Sequence, residues 1–357
     1  MKIAVYSIAR NEEANVRAWA ACARDADYIV LADTGSTDAT WEVAEDLYGV
    51  KAHSIAISPW RFDDARNAAL ALVPADVDLC ISLDLDERLQ PGWREPLEKA
   101  FAAGVTRPRY HYVWNWLPNG SPGISFDRDH IHTRHGYRWR HPVHENLVPL
   151  GITEVAEHVD GVVVHHYADP AKDRSSYLDL LAMAVLEDPE DDRNAHYLAR
   201  ELMHYGQWIA AEGEFTRHLA LPRATWNAER AASMRFLARV VMADRGDIAA
   251  AESWLLRACA EAPEYREPWL DLALHYLSRS NFIAAYAIAL RGLMVTQRPL
   301  AYLTESGPWT GDLEGVVAIC RTRLGSMMET GEPKGGSDDR THEAADATDE
   351  PALEGPG

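Results

Sequence analysis

Over its first 86 residues the chain alternates short apolar runs with amphipathic stretches, and this alternation limits the available folds more than any other feature. "KIAVYSIA", "DYIVLAD", "KAHSIAIS" and "VDLCISLDLD" read as strands. Between them "NEEANVRAWAACARDA", "STDATWEVAEDLYG" and "FDDARNAALALVPA" read as helices, the second opened by Ser36 or Thr37 and closed by Gly49. Strands separated by helices of this length pair in parallel, and the helices cover both faces of the sheet. The fourth run adds a constraint of its own. Ile81, Leu83 and Leu85 fall on one face, Ser82, Asp84 and Asp86 on the other. Two carboxylates therefore leave together at the carboxyl end of a parallel strand, the edge where open sheets bind ligands. Paired acids there suit a hard divalent cation, Mg2+ or Mn2+, which takes phosphate oxygens as further ligands. The plain alternative is a solvated acidic turn next to Pro91-Gly92.

Beyond Arg107 the pattern changes. Aromatic, Arg and His residues crowd a segment of short strands and loops up to about Tyr167, and after Asp169 the chain turns helical and Ala-rich until about Arg323. Ala199 and Ala211, Ala238 and Ala250, and Ala273 and Ala285 are small-residue pairs, each 12 apart and straddling a turn ("HYGQW", "DRGDI", "SRSNF"). Pro222, Pro263 and Pro299 follow the three units. Unit spacings of 39 and 35 residues are near the 34 of tetratricopeptide helix pairs, whose small residues let antiparallel helices approach closely. An ordinary bundle with coincidental alanines is the competing reading. The expected organisation is an α/β domain over 1–172, a tetratricopeptide-like helical domain over 173–323 and a disordered acidic tail over 324–357.

Composition narrows the function. The formal net charge is −20, and from Glu329 onward nine acids face two bases, so the body is acidic as well as the tail. An acidic body argues against a nucleic-acid partner, because phosphate binding needs Lys and Arg. No apolar run is long enough for a membrane span, and the apolar start lacks a signal peptide's charged region. Cys22, Cys80, Cys259 and Cys320 show no CxxC spacing, so a cytoplasmic protein is expected.

The ordered landmarks "YIVLADTGSTDATWEVA", "FDDARNAAL" and "ISLDLDERL" closely resemble family 2 glycosyltransferases, which have the nucleotide-sugar-binding GT-A fold. The resemblance covers about the first 170 residues. It implies that Asn11 and Glu12 lie at the sheet edge, that Asp33 contacts the base or ribose of the donor, and that Arg66 and Asn67 lie beside it. It also implies that Asp84 and Asp86 hold a metal against the donor diphosphate. One branch of that family carries a tetratricopeptide-like region after the transferase domain. By resemblance to that branch, Glu145 in "WRHPVHENL" is the counterpart of the catalytic base. His166 in "VVVHHYADP" is a third metal ligand, with His165 as the second choice.

The activity this implies is an inverting transfer of a sugar from a nucleotide donor, a UDP-sugar by resemblance, to an acceptor hydroxyl. A Mn2+ or Mg2+ ion would neutralise the departing diphosphate while Glu145 takes the hydroxyl proton. Arg134 is a diphosphate candidate on position alone. The acceptor is expected to be a polypeptide, since repeat arrays offer concave surfaces, with a glycan as the alternative. Three other readings compete. A nucleotidyltransferase also needs paired acids, but "SIARNEEAN" lacks its glycine-rich phosphate loop. A non-catalytic scaffold would use only the repeats. His130, His132, His135, His141 and His144 could form a zinc site, though the spacing matches no common motif.

Overall fold

In the computed structural model, residues 1–117, 119–168, 175–300 and 304–330 are described. The chain divides into two compact units, one formed by Met1–Ala184 and the other built chiefly on Val185–Pro299.

The first unit starts with β1 (Ile3–Ala9), α1 (Glu13–Cys22), β2 (Tyr28–Asp33), α2 (Thr40–Glu45), β3 (Val50–Ser54), α3 (Phe62–Leu72) and β4 (Leu79–Ser82). β1 pairs in parallel with β2 on one side and β4 on the other, and β2 pairs in parallel with β3. Ile3, Ala4, Val5 and Tyr6 are all fully buried, as a central strand covered on both faces requires. Helix α3 shows how local sequence sets an element. Asp63 and Asp64 sit in its first turn, favourable for the helix dipole. It stops at Leu72 because Pro74 forces Val73 into an extended conformation. Its Ala69 and Leu70 pack with Ala4, Tyr6, Val30, Ala32 and Cys80 in the core.

Then come β5 (Glu87–Leu89), α4 (Arg94–Ala102), β6 (Arg107–Val113), β7 (Ser125–Arg128), β8 (Ile131–Thr133), β9 (Tyr137–Arg140), β10 (Asn146–Pro149) and β11 (Ala156–His166). β8 joins the main sheet antiparallel to β4, giving the order β3-β2-β1-β4-β8. β5, β11, β6 and β7 form a second sheet, and β9 and β10 a two-stranded ribbon. The expected mostly parallel α/β architecture is present.

Two elements are shorter than expected. α2 begins at Thr40, not at Ser36 or Thr37, because those residues serve the preceding loop. The Ser36 backbone N–H and hydroxyl both donate to the Asp33 carboxylate, and the Thr37 N–H donates to Asn11 Oδ1 at 2.7 Å. β4 ends at Ser82, so Asp84 and Asp86 sit in the turn after the strand and not on its face. That turn closes with the Glu87 N–H donating to the Asp84 carbonyl at 2.9 Å.

α5 (Tyr177–Glu187) begins in the first unit and ends in the second, which continues with α6 (Asp192–His204), α7 (Trp208–Ala220), α8 (Asn227–Arg245), α9 (Ile248–Glu261), α10 (Arg266–Leu277) and α11 (Phe282–Leu293). The short α12 (Gly307–Thr310) and the long α13 (Asp312–Thr330) come last. The expected turns separate α6 from α7, α8 from α9 and α10 from α11, and the expected prolines follow the second helix of each pair. Asp247 and Asn281 cap α9 and α11 with side-chain oxygens. Gly246, in the left-handed region at φ 64°, ends α8. Ala199, Ala211, Ala238, Ala273 and Ala285 are buried at the helix contacts. In the first turn of α9 the fully buried small residue is Ala251, while the expected Ala250 is half-buried. This is a tetratricopeptide-like helical region. Of the tail expected from residue 324, the backbone to Thr330 continues α13, and the remainder lies outside the described residues.

Candidate active site

The chain leaves β1 to build β2 and β3 on one side, then returns to build β4 on the other. The carboxyl ends of β1 and β4 therefore flank a topological switch point, where open α/β sheets form their ligand crevice. Asn11 and Glu12 follow β1, Asp33 ends β2, and Asp84 and Asp86 follow β4.

The loop after β1 is built tightly. Asn11 adopts φ 57°, a left-handed conformation that Asn tolerates better than most residues. Its backbone N–H donates to Ser36 Oγ at 2.9 Å. Glu12 is buried, and its Oε2 accepts from the Asn15 amide at 2.8 Å. Asp33, also buried, accepts from the Gly35 and Ser36 N–H groups at 2.9 and 3.0 Å. These contacts shape the crevice wall.

Arg66 occupies the centre. Carried by α3 and buried, it donates from both terminal nitrogens to Asp84, at 2.8 and 3.1 Å, and from Nε to Glu145 Oε1. It also reaches Ser82 Oγ at 3.1 Å and lies over the Trp139 ring, 5.1 Å from its centre. Burial by itself would raise the Asp84 carboxyl, but Arg66 outweighs it and holds the group well below the usual carboxylate range. Arg66 is raised in turn: burial opposes its charge, and the Asp84 and Glu145 carboxylates overcome that opposition. Glu145 is buried in the loop between β9 and β10, where His141 and His144 both have positive φ (81° and 52°). Strained backbone of this kind costs about 1–3 kcal/mol per residue and recurs where a site needs an unusual chain path. Asn67, one residue after Arg66, clasps β9: its amide donates to the Trp139 carbonyl at 2.9 Å and accepts from the Trp139 N–H at 3.0 Å.

Asp86 and His166 meet on the other flank. His166 Nε2 is 3.6 Å from Asp86 Oδ2, and both side chains are buried. The Nδ1–H of His166 donates to the Trp114 carbonyl at 2.9 Å, and the ring stacks on Trp114 with centres 4.5 Å apart. A donor at Nδ1 leaves the Nε2 lone pair facing Asp86, the arrangement seen in metal-binding histidines. Burial disfavours a charged His166, yet Asp86 and Glu87 raise its pKa above the ordinary value. His165, the second choice from sequence, points elsewhere, with Nδ1 accepting from the Gln90 amide at 2.8 Å. Asp86 and His166 therefore fit a divalent cation, while Asp84 is engaged by Arg66.

One residue of the site had no place in the sequence reading. Glu87 lies beneath the acidic turn, where its Oε2 accepts from the Asp84 N–H at 3.0 Å. Its Oε1 accepts from the Tyr112 hydroxyl at 2.8 Å and from Arg128. The signal was available: Ile81, Leu83, Leu85 and Glu87 continue one apolar face, and an acid there demands a buried partner.

Arg134 does not join the group. Its guanidinium donates to the Val73 carbonyl at 2.9 and 3.2 Å, and its N–H to the Asp78 carbonyl, at the amino end of β4. Because β8 runs antiparallel to β4, each step past Ile131 moves away from the carboxyl edge. Nor do the five histidines form a ligand set among the described residues. His132 bonds Tyr6 Oη at 3.0 Å and His135 bonds the Ala75 carbonyl at 2.8 Å. Trp139 is fully buried and donates to Tyr6 Oη at 2.7 Å, so it packs beneath the site.

Residues 5–142 match the family profile "Glycosyl transferase family 2". The chain carries a family 2 glycosyltransferase domain. No curated protein sequence matches it. Among solved structures, it is similar to the Sgt2 TPR domain from Aspergillus fumigatus (14% identity over 43% of this chain and 92% of that one, TM-score 0.31). It is also similar to MamA (16%, 46% and 89%, TM-score 0.34) and to Pseudomonas aeruginosa pilF (13%, 42% and 67%, TM-score 0.30). Likeness at this level adds nothing to the helix pairing seen in the structure itself. No helix among the described residues is long and apolar enough to cross a membrane.

Proposed function

We propose that the glycosyltransferase domain catalyses a metal-dependent, inverting transfer of a sugar from a nucleotide donor, a UDP-sugar, to a hydroxyl of a polypeptide acceptor. The observation that carries this reading is the buried Asp86–His166 pair, its imidazole oriented by the Trp114 carbonyl, at the switch point across from Arg66 and Glu145. Asp86 and His166 would hold Mn2+ or Mg2+, with Asp84 as the third candidate ligand. When bound, the cation offsets the charge that develops on the departing diphosphate.

This chain's own residues supply the rest. Arg66 ties Glu145 through Oε1 and so fixes the direction of the second oxygen, Oε2, which takes the proton of the attacking hydroxyl. As the acceptor oxygen bonds to the anomeric carbon, the bond from that carbon to the diphosphate oxygen breaks, and the centre inverts. Asp33, Asn11 and Glu12 form the wall facing the nucleoside, and Asn67 holds α3 against β9 so that Arg66 and Glu145 keep their register. The helical pairs favour a polypeptide acceptor, since arrays of this kind present extended surfaces to chains.

The test is hydrolysis of nucleotide sugars with Mn2+, with Mg2+ and with chelator. Chelator-sensitive turnover is expected with a UDP-sugar, falling at least about a hundredfold in Asp86→Ala and in Glu145→Gln. Full activity in Asp86→Ala would refute the assignment of the cation.

A further inference from the structure

The helical unit holds a cluster that the transferase reading leaves unused. Asp192 lies in the first turn of α6, His218 in the last turn of α7 and Glu229 in the first turn of α8. One ligand atom from each lies within 4.8 Å of the other two, the one such trio among the described residues. His218 and Glu229 are buried and Asp192 is half-buried.

His218 provides the independent observation. It is fully buried, and its Nε2 makes no hydrogen bond. That nitrogen faces Glu229 Oε1 at 3.4 Å, beyond hydrogen-bond range. Two ligands of a tetrahedral ion with bonds of about 2.0–2.1 Å are separated by about 3.3–3.4 Å. Behind the ring, Nδ1 contacts Ser233 Oγ at 2.9 Å, and Ser233 Oγ contacts His196 Nδ1 at 2.7 Å. A single hydroxyl hydrogen serves only one of the two rings. If it goes to His196, His218 Nδ1–H donates to Ser233 and the buried Nε2 presents a lone pair to the two carboxylates. In the reverse order an N–H would point at Glu229 without reaching it. The neighbouring guanidiniums of Arg193 and Arg200 lie over the Tyr197 ring, at 5.4 and 5.5 Å.

We propose that Asp192, His218 and Glu229 form a divalent transition-metal site, of the zinc class, that joins the first three helices of the repeat region. One imidazole and two carboxylates are a ligand set that such an ion accepts, and Ser233 acts as the outer partner that sets the tautomer of His218. Asp192 is the accessible side of the site, so a water fills the fourth position.

The site is independent of the transferase reading, and the experiment separates the two. Full-length protein is stripped with chelator, loaded with Zn2+, freed of excess and assayed for bound metal by elemental analysis. X-ray absorption on the zinc edge then reports its ligands. In Asp86→Ala one equivalent of zinc is expected to remain, with one imidazole and otherwise oxygen ligands. Asp192→Asn, a half-buried position chosen to preserve folding, loses that equivalent, and Ser233→Ala weakens binding about 10–100-fold. Zinc content unchanged in Asp192→Asn, no zinc retained in Asp86→Ala, or a zinc shell lacking imidazole overturns the proposal.

Discussion

The carboxyl edge of the first sheet and the seams of the helical pairs solve opposite packing problems. At the edge, buried and half-buried carboxylates and buried guanidiniums crowd together: Arg66 between Asp84 and Glu145, and Arg128 against Glu87 beneath Tyr112. In the seams of the second and third pairs, small residues such as Ala238, Ala251, Ala273 and Ala285 let aliphatic and aromatic neighbours close over them. Charges in a low-dielectric interior are tolerated only with partners in place, so the edge is specified by pairwise geometry. The seams are specified by volume. Matched charge sets the edge, and matched volume sets these alanine seams.

The difference can be broken in order of expected effect. Glu87→Ala should cost about 3–5 kcal/mol, because it strands a buried Arg128 and releases the Asp84 N–H. Glu87→Ala with Arg128→Met should recover most of that loss in urea unfolding. If the double variant is no better than the single one, pairing is not what the edge depends on.

Acid should also act beneath the edge. Burial, with Arg107 and Arg134 adding to it against the Thr133 carbonyl, lowers the pKa of His132 from 6.5 to about 4. Above pH 6.5 both the folded and unfolded chains carry the neutral ring, and the stabilisation is complete. As pH falls from 6.5 towards 4 the unfolded chain takes up the proton first, and about 3 kcal/mol is lost. Unfolding free energies across that window should fall less steeply in His132→Gln, and equal slopes would remove His132 from the account. The smallest effect belongs to the seams. Ala273→Leu, at a fully buried contact, should cost about 1–3 kcal/mol through overpacking and leave donor hydrolysis unchanged.

Much of the fold was legible because periodicity reports burial directly. The parallel strands, the three intervening helices and the alanine-turn-proline units all stand near where the sequence puts them. Boundaries failed where a side chain had a better use. Ser36 and Thr37 are good helix caps by type, yet Asp33 and Asn11 recruit their polar groups into the loop. Arg134 failed as a diphosphate contact because sequence position does not reveal which end of an antiparallel strand faces the crevice. The zinc-class trio was illegible: its members are far apart in sequence and match no motif, and only helix packing assembles them.

The paired amide contacts of Asn67 with Trp139 have a mechanical consequence. Helix and ribbon on that flank are stitched into one body, so Arg66 and Glu145 travel together when the protein breathes. On the proposed reading, the group taken as the proton acceptor then keeps its place beside Arg66 whatever the other flank does.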